Sequence, residues 1–116
     1  MTLSHIPKRT TIPRDTGLTM MMDKGLSTRQ MEDFLSTSAS YTDIIKFGFG
    51  TSIVSNNIQE KVSLMNQIGV KPYFGGTMFE LYYARNQESE YFKIVDDFGI
   101  ETIEISDGSI SLEHDE

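Results

Sequence analysis

Two charged side chains stand inside apolar runs that otherwise read as strands: Lys46 in "IIKFG" and Glu104 in "IEIS". Alternation with period two sets Lys46 against Ile45 and Phe47, and sets Glu104 and Ser106 against Ile103 and Ile105. An ammonium and a carboxylate therefore project from a sheet. They can bind an anion and a cation, or neutralise each other as a structural ion pair. Four loops that follow the strands add to this chemistry: Asp23-Lys24-Gly25, Gly48-Phe49-Gly50-Thr51-Ser52, Gly75-Gly76-Thr77 and Asp107-Gly108-Ser109. Glycines let the backbone approach a ligand, and free amides at the helix N-termini that follow favour phosphate, sulfonate or carboxylate. Some of these residues also have plainer readings. Glu80 completes Thr77-x-x-Glu80, a capping box that needs no ligand. Asp107 before Gly108 suits an ordinary turn. Met20, Met21 and Met22 read as core filler.

The elements that must position these groups alternate along the chain. Residues 1–16 are polar, carry Pro7 and Pro13 and lack periodicity, which predicts an extended arm ahead of a domain over 17–116. "GLTMMMD" predicts a first strand buried on both faces. Ser27 with Gln30 forms a capping box for a helix with Met31, Phe34, Leu35 and Ala39 on one face. Asp43 to Gly48 is the second strand. Asn57 with Glu60 then predicts a capped helix whose Ile58, Val62, Met65 and Ile68 share a face until Gly69 stops it. Val70 to Gly76 is the third strand, 77–98 is helical with a break near Asn86 and Gln87, and Thr102 to Ser106 is the fourth. Tyr82, Tyr83, Tyr91 and Phe92 read as packing residues, and Glu113 to Glu116 around His114 as a solvated helix start. The order β-α-β-α-β-α-β implies parallel strands with helical crossovers, and all four loops then fall on one rim.

Composition narrows the function classes. The 116 residues carry 17 acidic and 10 basic side chains, a net charge of −7, which is the wrong sign for a duplex-binding protein. Nucleic acid is disfavoured as a partner. There is no cysteine, and the two histidines, His5 and His114, lie near opposite ends, so thiolate and histidine chemistry is nearly excluded. The first 26 residues lack a signal-peptide core and no run of 18 apolar residues occurs, which predicts a cytoplasmic protein without a membrane partner.

The segments "GLTMMMDKG", "YTDIIKFGFGTS", "EKVSLMNQIGVKPYFGGTMFE" and "GIETIEISDGSISL" resemble, in order and spacing, the phosphosulfolactate synthase family, over residues 14–112. The resemblance implies a (β/α)8 barrel and a lyase that adds sulfite to phosphoenolpyruvate with Mg²⁺, giving (2R)-phospho-3-sulfolactate for coenzyme M biosynthesis. Heat-stress-associated proteins are among the relatives. It further implies that Lys46 and Lys24 hold phosphate or sulfite as catalytic point charges. Gly48, Gly50, Thr51, Ser52, Gly75, Gly76, Thr77 and Ser106 would line the anion site. Glu104, with Asp23, Glu80 or Asp107, would approach Mg²⁺.

A (β/α)8 barrel takes about 250 residues, so this chain is expected to supply the N-terminal half, about four βα units. Four open strands leave two bare edges and an apolar inner face. A homo-oligomer, or pairing with a C-terminal half, is the expected remedy. The alternative is a non-catalytic half-barrel that binds anions or serves as a stress-related interaction module.

Overall fold

Ser27 starts the first helix as the sequence predicts. Its side chain accepts from the Gln30 amide at 3.1 Å and the Gln30 side chain accepts from the Ser27 amide at 2.9 Å, so two otherwise unpaired donors are satisfied reciprocally. In the computed structural model, which describes residues 2–113, the elements run β1 (Met20–Asp23), α1 (Thr28–Ser38), β2 (Ile44–Phe47), α2 (Ile58–Ile68), β3 (Lys71–Phe74), α3 (Gly76–Tyr83) and α4 (Glu88–Asp97). Short 3-10 turns lie at Ala39–Tyr41 and Thr51–Val54. The expected acidic helix start at 113–116 falls mostly outside the described residues, and Glu113 itself is in no helix.

The sheet is parallel, in the order β1-β2-β3, with Met22, Lys46 and Tyr73 in one row and Asp23, Phe47 and Phe74 in the next. Because successive side chains alternate faces, the second row lies under the helices. There Ile45, Phe47 and Phe74 join Met31, Leu35, Val62, Met65 and Val95 in the core. The Phe47 and Phe74 rings lie 5.8 Å apart, and Phe98 meets Phe74 edge-on at 5.7 Å. The first row faces away from the helices, where Tyr73 is nonetheless 8% exposed and Lys46 only partly exposed.

Three expectations need correction. The fourth strand is reduced to one parallel bridge between Phe74 and Ile103. Ile103 and Ile105 are 39% and 54% exposed, so the helices cover the far side of this segment only in part, Ile105 lying beside Phe79, Tyr83 and Phe92. Strand β1 is not buried on both faces: Met20 is 45% exposed, Met21 and Met22 are half-buried and only Asp23 is fully enclosed. The reason is its place at the sheet edge, where Met20 and Met22 lie in the rows that face away from the helices. Finally, Asn57 precedes α2 but does not cap it through its side chain. Its amide instead donates to the Leu26 carbonyl at 3.0 Å.

The other helix signals match. Gly69 ends α2 with φ 91°, a left-handed conformation that glycine adopts without steric cost. The predicted break separates α3 from α4, with Asn86 at φ 55°. Tyr91 is fully buried against Phe79, Tyr82 and Phe92. Burial pushes its hydroxyl up to about 12. The arm is tied down at Arg14, whose guanidinium donates to both oxygens of Asp43 at 2.8 and 3.0 Å and holds that carboxyl below its ordinary range.

Candidate functional site

On the face turned away from the helices, Lys46 and Glu104 meet. The ammonium lies 2.9 and 3.0 Å from the two carboxylate oxygens, with the side chains 17% and 36% exposed. The plain reading and the functional one thus share a geometry: the pair is bonded, and it stands on the bare face of the sheet. Gly76 donates its amide to Glu104 Oε1 at 2.9 Å, and the Tyr73 side chain stands beside the same carboxylate. Burial raises the Glu104 pKa, but the bonds from Lys46 and Gly76, with the Lys46 charge, outweigh it and hold the group below its ordinary value. Burial and the neighbouring Glu104 charge push Tyr73 upward. The N-terminus of α3, a natural anion seat, therefore holds an anion supplied by the chain itself.

The glycines of the third loop fit this close packing. A Cβ on Gly75 would stand 2.7 Å from Lys46 Cε, and one on Gly76 would collide with Ser106 Oγ and approach Glu104 Oε1 at 3.1 Å. Gly48 is equally tight against Met22 at 2.8 Å. In the second loop, Gly50 and Phe49 both have positive φ, 70° and 57°, and Phe49 is 64% exposed. A non-glycine residue in that region marks stored strain. Thr51 spends its hydroxyl on the Gly48 carbonyl at 2.8 Å, while the Ser52 hydroxyl is buried with no hydrogen-bond partner. Thr77 is half-buried in the first turn of α3. Lys24 is exposed on the first loop with its ammonium 5.7 Å from the centre of the Phe49 ring, a cation–π contact between two rim loops.

Two of the expected metal ligands have other work. Asp23 is fully buried under the helices, where Oδ2 receives Lys61 Nζ at 2.6 Å and Oδ1 receives the amides of Gly25 and Leu26, both at 2.7 Å. Glu80 does not close a capping box, since α3 is capped at Gly75. It reaches the segment after Ile103, accepting from the Ser106 hydroxyl and from the amide and hydroxyl of Ser109 at 2.6 and 2.7 Å. Those bonds, Ser106 first, lower its pKa below the ordinary carboxylate value. Asp107 is exposed on that same segment and engages a neighbouring group.

The oxygen donors are of the hard type that suits Mg²⁺, yet each buried carboxylate is already bonded. No three histidine, cysteine or acidic side chains converge among the described residues. The described residues do not assemble a Mg²⁺ site by themselves.

Lys61 was not among the expected site residues, although the sequence carried a signal. It stands at the i+3 position of the stripe Ile58, Val62, Met65, where only an apolar residue or a paired charge is tolerated. Tyr73 was missed because its role depends on register, which pairs it with Lys46.

The fold and site define a parallel α/β unit whose strand ends carry a lysine–carboxylate pair and a glycine-rich rim. The family model of (2R)-phospho-3-sulfolactate synthase matches residues 7–116, and the chain belongs to that family. It is 38% identical over 112 residues to the phosphosulfolactate synthase of Methanothermobacter thermautotrophicus, covering 95% of this chain and 43% of that protein. It is 34% identical to that of Bacillus subtilis, covering 97% and 44%, and 43% identical over 101 residues to that of Methanocaldococcus jannaschii, covering 84% and 40%. The chain thus spans less than half the length of these relatives. Among the described residues no helix is long and apolar enough to cross a membrane.

Proposed function

We propose that this chain contributes the N-terminal half of a (β/α)8 barrel to a cytoplasmic, phosphosulfolactate synthase-like lyase that adds sulfite to phosphoenolpyruvate. The observation that carries this reading is the Lys46–Glu104 pair on the bare face of a parallel sheet, inside a chain matched to the family over residues 7–116. In the reaction the sulfite sulfur bonds to the methylene carbon of the enol. The π pair moves into the carboxylate as an enediolate, and a proton on the adjacent carbon completes the addition. Lys46 and Lys24 supply fixed positive charge toward the phosphate, sulfite or developing enediolate. Gly48, Gly50, Thr51, Ser52, Gly75, Gly76, Thr77 and Ser106 shape the rim on which the anions would sit. Mg²⁺ would supply further charge stabilisation. Its ligands must include groups beyond those described, because Glu104, Glu80 and Asp23 are bonded within the chain.

The second half of the barrel, or a second copy of this chain, would cover the bare face. The test is an assay for Mg²⁺-dependent product from phosphoenolpyruvate and sulfite. The 116-residue chain is assayed alone and with the separately expressed C-terminal part of the Methanothermobacter relative. Product only from the mixture, lost on Lys46→Ala, supports the reading. Phosphate binding without product from the mixture favours the non-catalytic anion-binding module, for which the fully bonded Glu104 speaks.

A further inference from the structure

We infer that Lys61 is a positioning residue for the rim: without touching a ligand, it fixes the loop that carries Lys24. The inference rests on the anion-binding reading of Lys24 given above. Asp23 ends β1, and its Oδ1 gathers the amides of Gly25 and Leu26, a tight turn closed by a charged acceptor. Lys61 Nζ holds the other oxygen at 2.6 Å and also donates to the Leu26 carbonyl at 2.9 Å. It therefore grips the turn at both ends. Asn57, just ahead of α2, donates to the same carbonyl at 3.0 Å.

The stem of Lys61 is buried and its ammonium stands 5.2 Å from the centre of the Phe47 ring, which fixes the cation from the third side. Lys24 is the one residue of Asp23–Leu26 that takes no part in these bonds, so its backbone is held while its side chain is free to reach across to Phe49. A hydrophobic contact at position 61 would fill the core as well. An ammonium donates to a carboxylate and a carbonyl of the rim loop at once and also neutralises the carboxylate, which a neutral donor would not do. A buried ion pair exchanged for apolar or neutral groups of similar volume is often neutral for stability, so stability alone does not account for this pair.

The experiment uses the full chain, labelled for amide exchange, with inorganic phosphate as the probe. The paired variant Asp23→Asn, Lys61→Met removes both charges, keeps an acceptor for Gly25 and Leu26, and leaves no unpaired buried ion. The expected result is amide exchange at Gly25 and Leu26 at least about tenfold faster, with the Gly75 amide unchanged, and phosphate binding weakened about tenfold. On a Lys24→Ala background the paired variant should add no further loss, which a general structural role would not produce. Unchanged exchange at Gly25 and Leu26 would overturn the inference, and so would a loss of affinity that adds in full to that of Lys24→Ala. If the unaltered chain binds no phosphate, the anion-site reading of Lys24 fails, and the exchange rates alone then decide whether Lys61 holds the loop.

Discussion

Lys61 and Asp23 meet at 2.6 Å beneath the helices with side chains 1% and 0% exposed, whereas Lys46 and Glu104 meet at 2.9 Å on the bare face, 17% and 36% exposed. Both are lysine–carboxylate pairs spanning distant segments. The enclosed pair has every neighbour drawn from this chain: two amides, a carbonyl and an aromatic face. It can hold a loop and little else. The open pair keeps access to solvent, so its ammonium can exchange its partner for another anion. Burial, with the chemistry held constant, separates the pair that shapes the rim from the pair that can act on a ligand.

The largest expected effect breaks the enclosed pair on one side. Lys61→Met alone strands the Asp23 carboxylate in the core and should cost about 3–5 kcal/mol, a large share of the ~5–15 kcal/mol typical of a folded domain. Urea unfolding checks it, and the paired variant with Asp23→Asn should recover most of the loss. A cost below about 1 kcal/mol for the single variant would mean that water reaches the site.

Next in size is Gly76→Ala. The added Cβ falls on Ser106 and Glu104, so the strain should cost about 1–3 kcal/mol. It should also push Glu104 away from Lys46, which nuclear magnetic resonance of the lysine ammonium would detect. An unchanged midpoint would show that the segment after Ile103 yields easily.

Acid should weaken the fold through Glu80 and Glu104, whose ordinary value is 4.5 and whose folded values are lowered. A lowered folded pKa means that the unfolded chain takes up protons first. The stabilisation is therefore complete above about 4.5 and lost as pH falls through the folded values. Unfolding midpoints measured from neutral pH down to pH about 3 should drop, and Glu80→Gln should flatten that slope more than Glu104→Gln, because Glu80 is the more enclosed.

The smallest stability effect belongs to the open pair. Lys46→Met should cost about 1 kcal/mol, well below the enclosed pair, since solvent partly screens a contact whose side chains are 17% and 36% exposed. Its effect on binding should be larger. Calorimetric titration with phosphoenolpyruvate should show Lys46→Ala weaker than Lys93→Ala, whose lysine pairs with Asp97 on an exposed helix face. Equal losses would assign Lys46 to structure alone.

Much of this architecture is legible in local patterns. The Ser27–Gln30 box, the Gly69 stop and the helix break at Asn86 are decided by backbone chemistry within a turn or two, and each stands where the sequence predicts. Alternation in "IIKFG" and "IEIS" also sorts Lys46 and Glu104 from their apolar neighbours, because side-chain direction in a strand follows from period two alone. The roles of Asp23, Glu80 and Asn57 were not legible. Each has a plausible local partner in the sequence, and each instead bonds across 26 to 38 residues or more locally to loop amides that only the folded turn presents.

The sequence by itself determined the alternation of the first three strands with helices, the glycine-rich rim and the side of the backbone on which Lys46 and Glu104 stand, since these depend on local sterics and on periodicity. Tertiary structure decided which charges meet. Sheet order puts Asp23 against α2, where Lys61 can reach it, and register sets Tyr73 beside Lys46. Docking of the 102–110 segment brings Glu104 to the α3 N-terminus and Ser109 to Glu80. The physical reason is that a charge in low dielectric must find a partner, and partners distant in sequence are chosen only when the sheet and helices close around them.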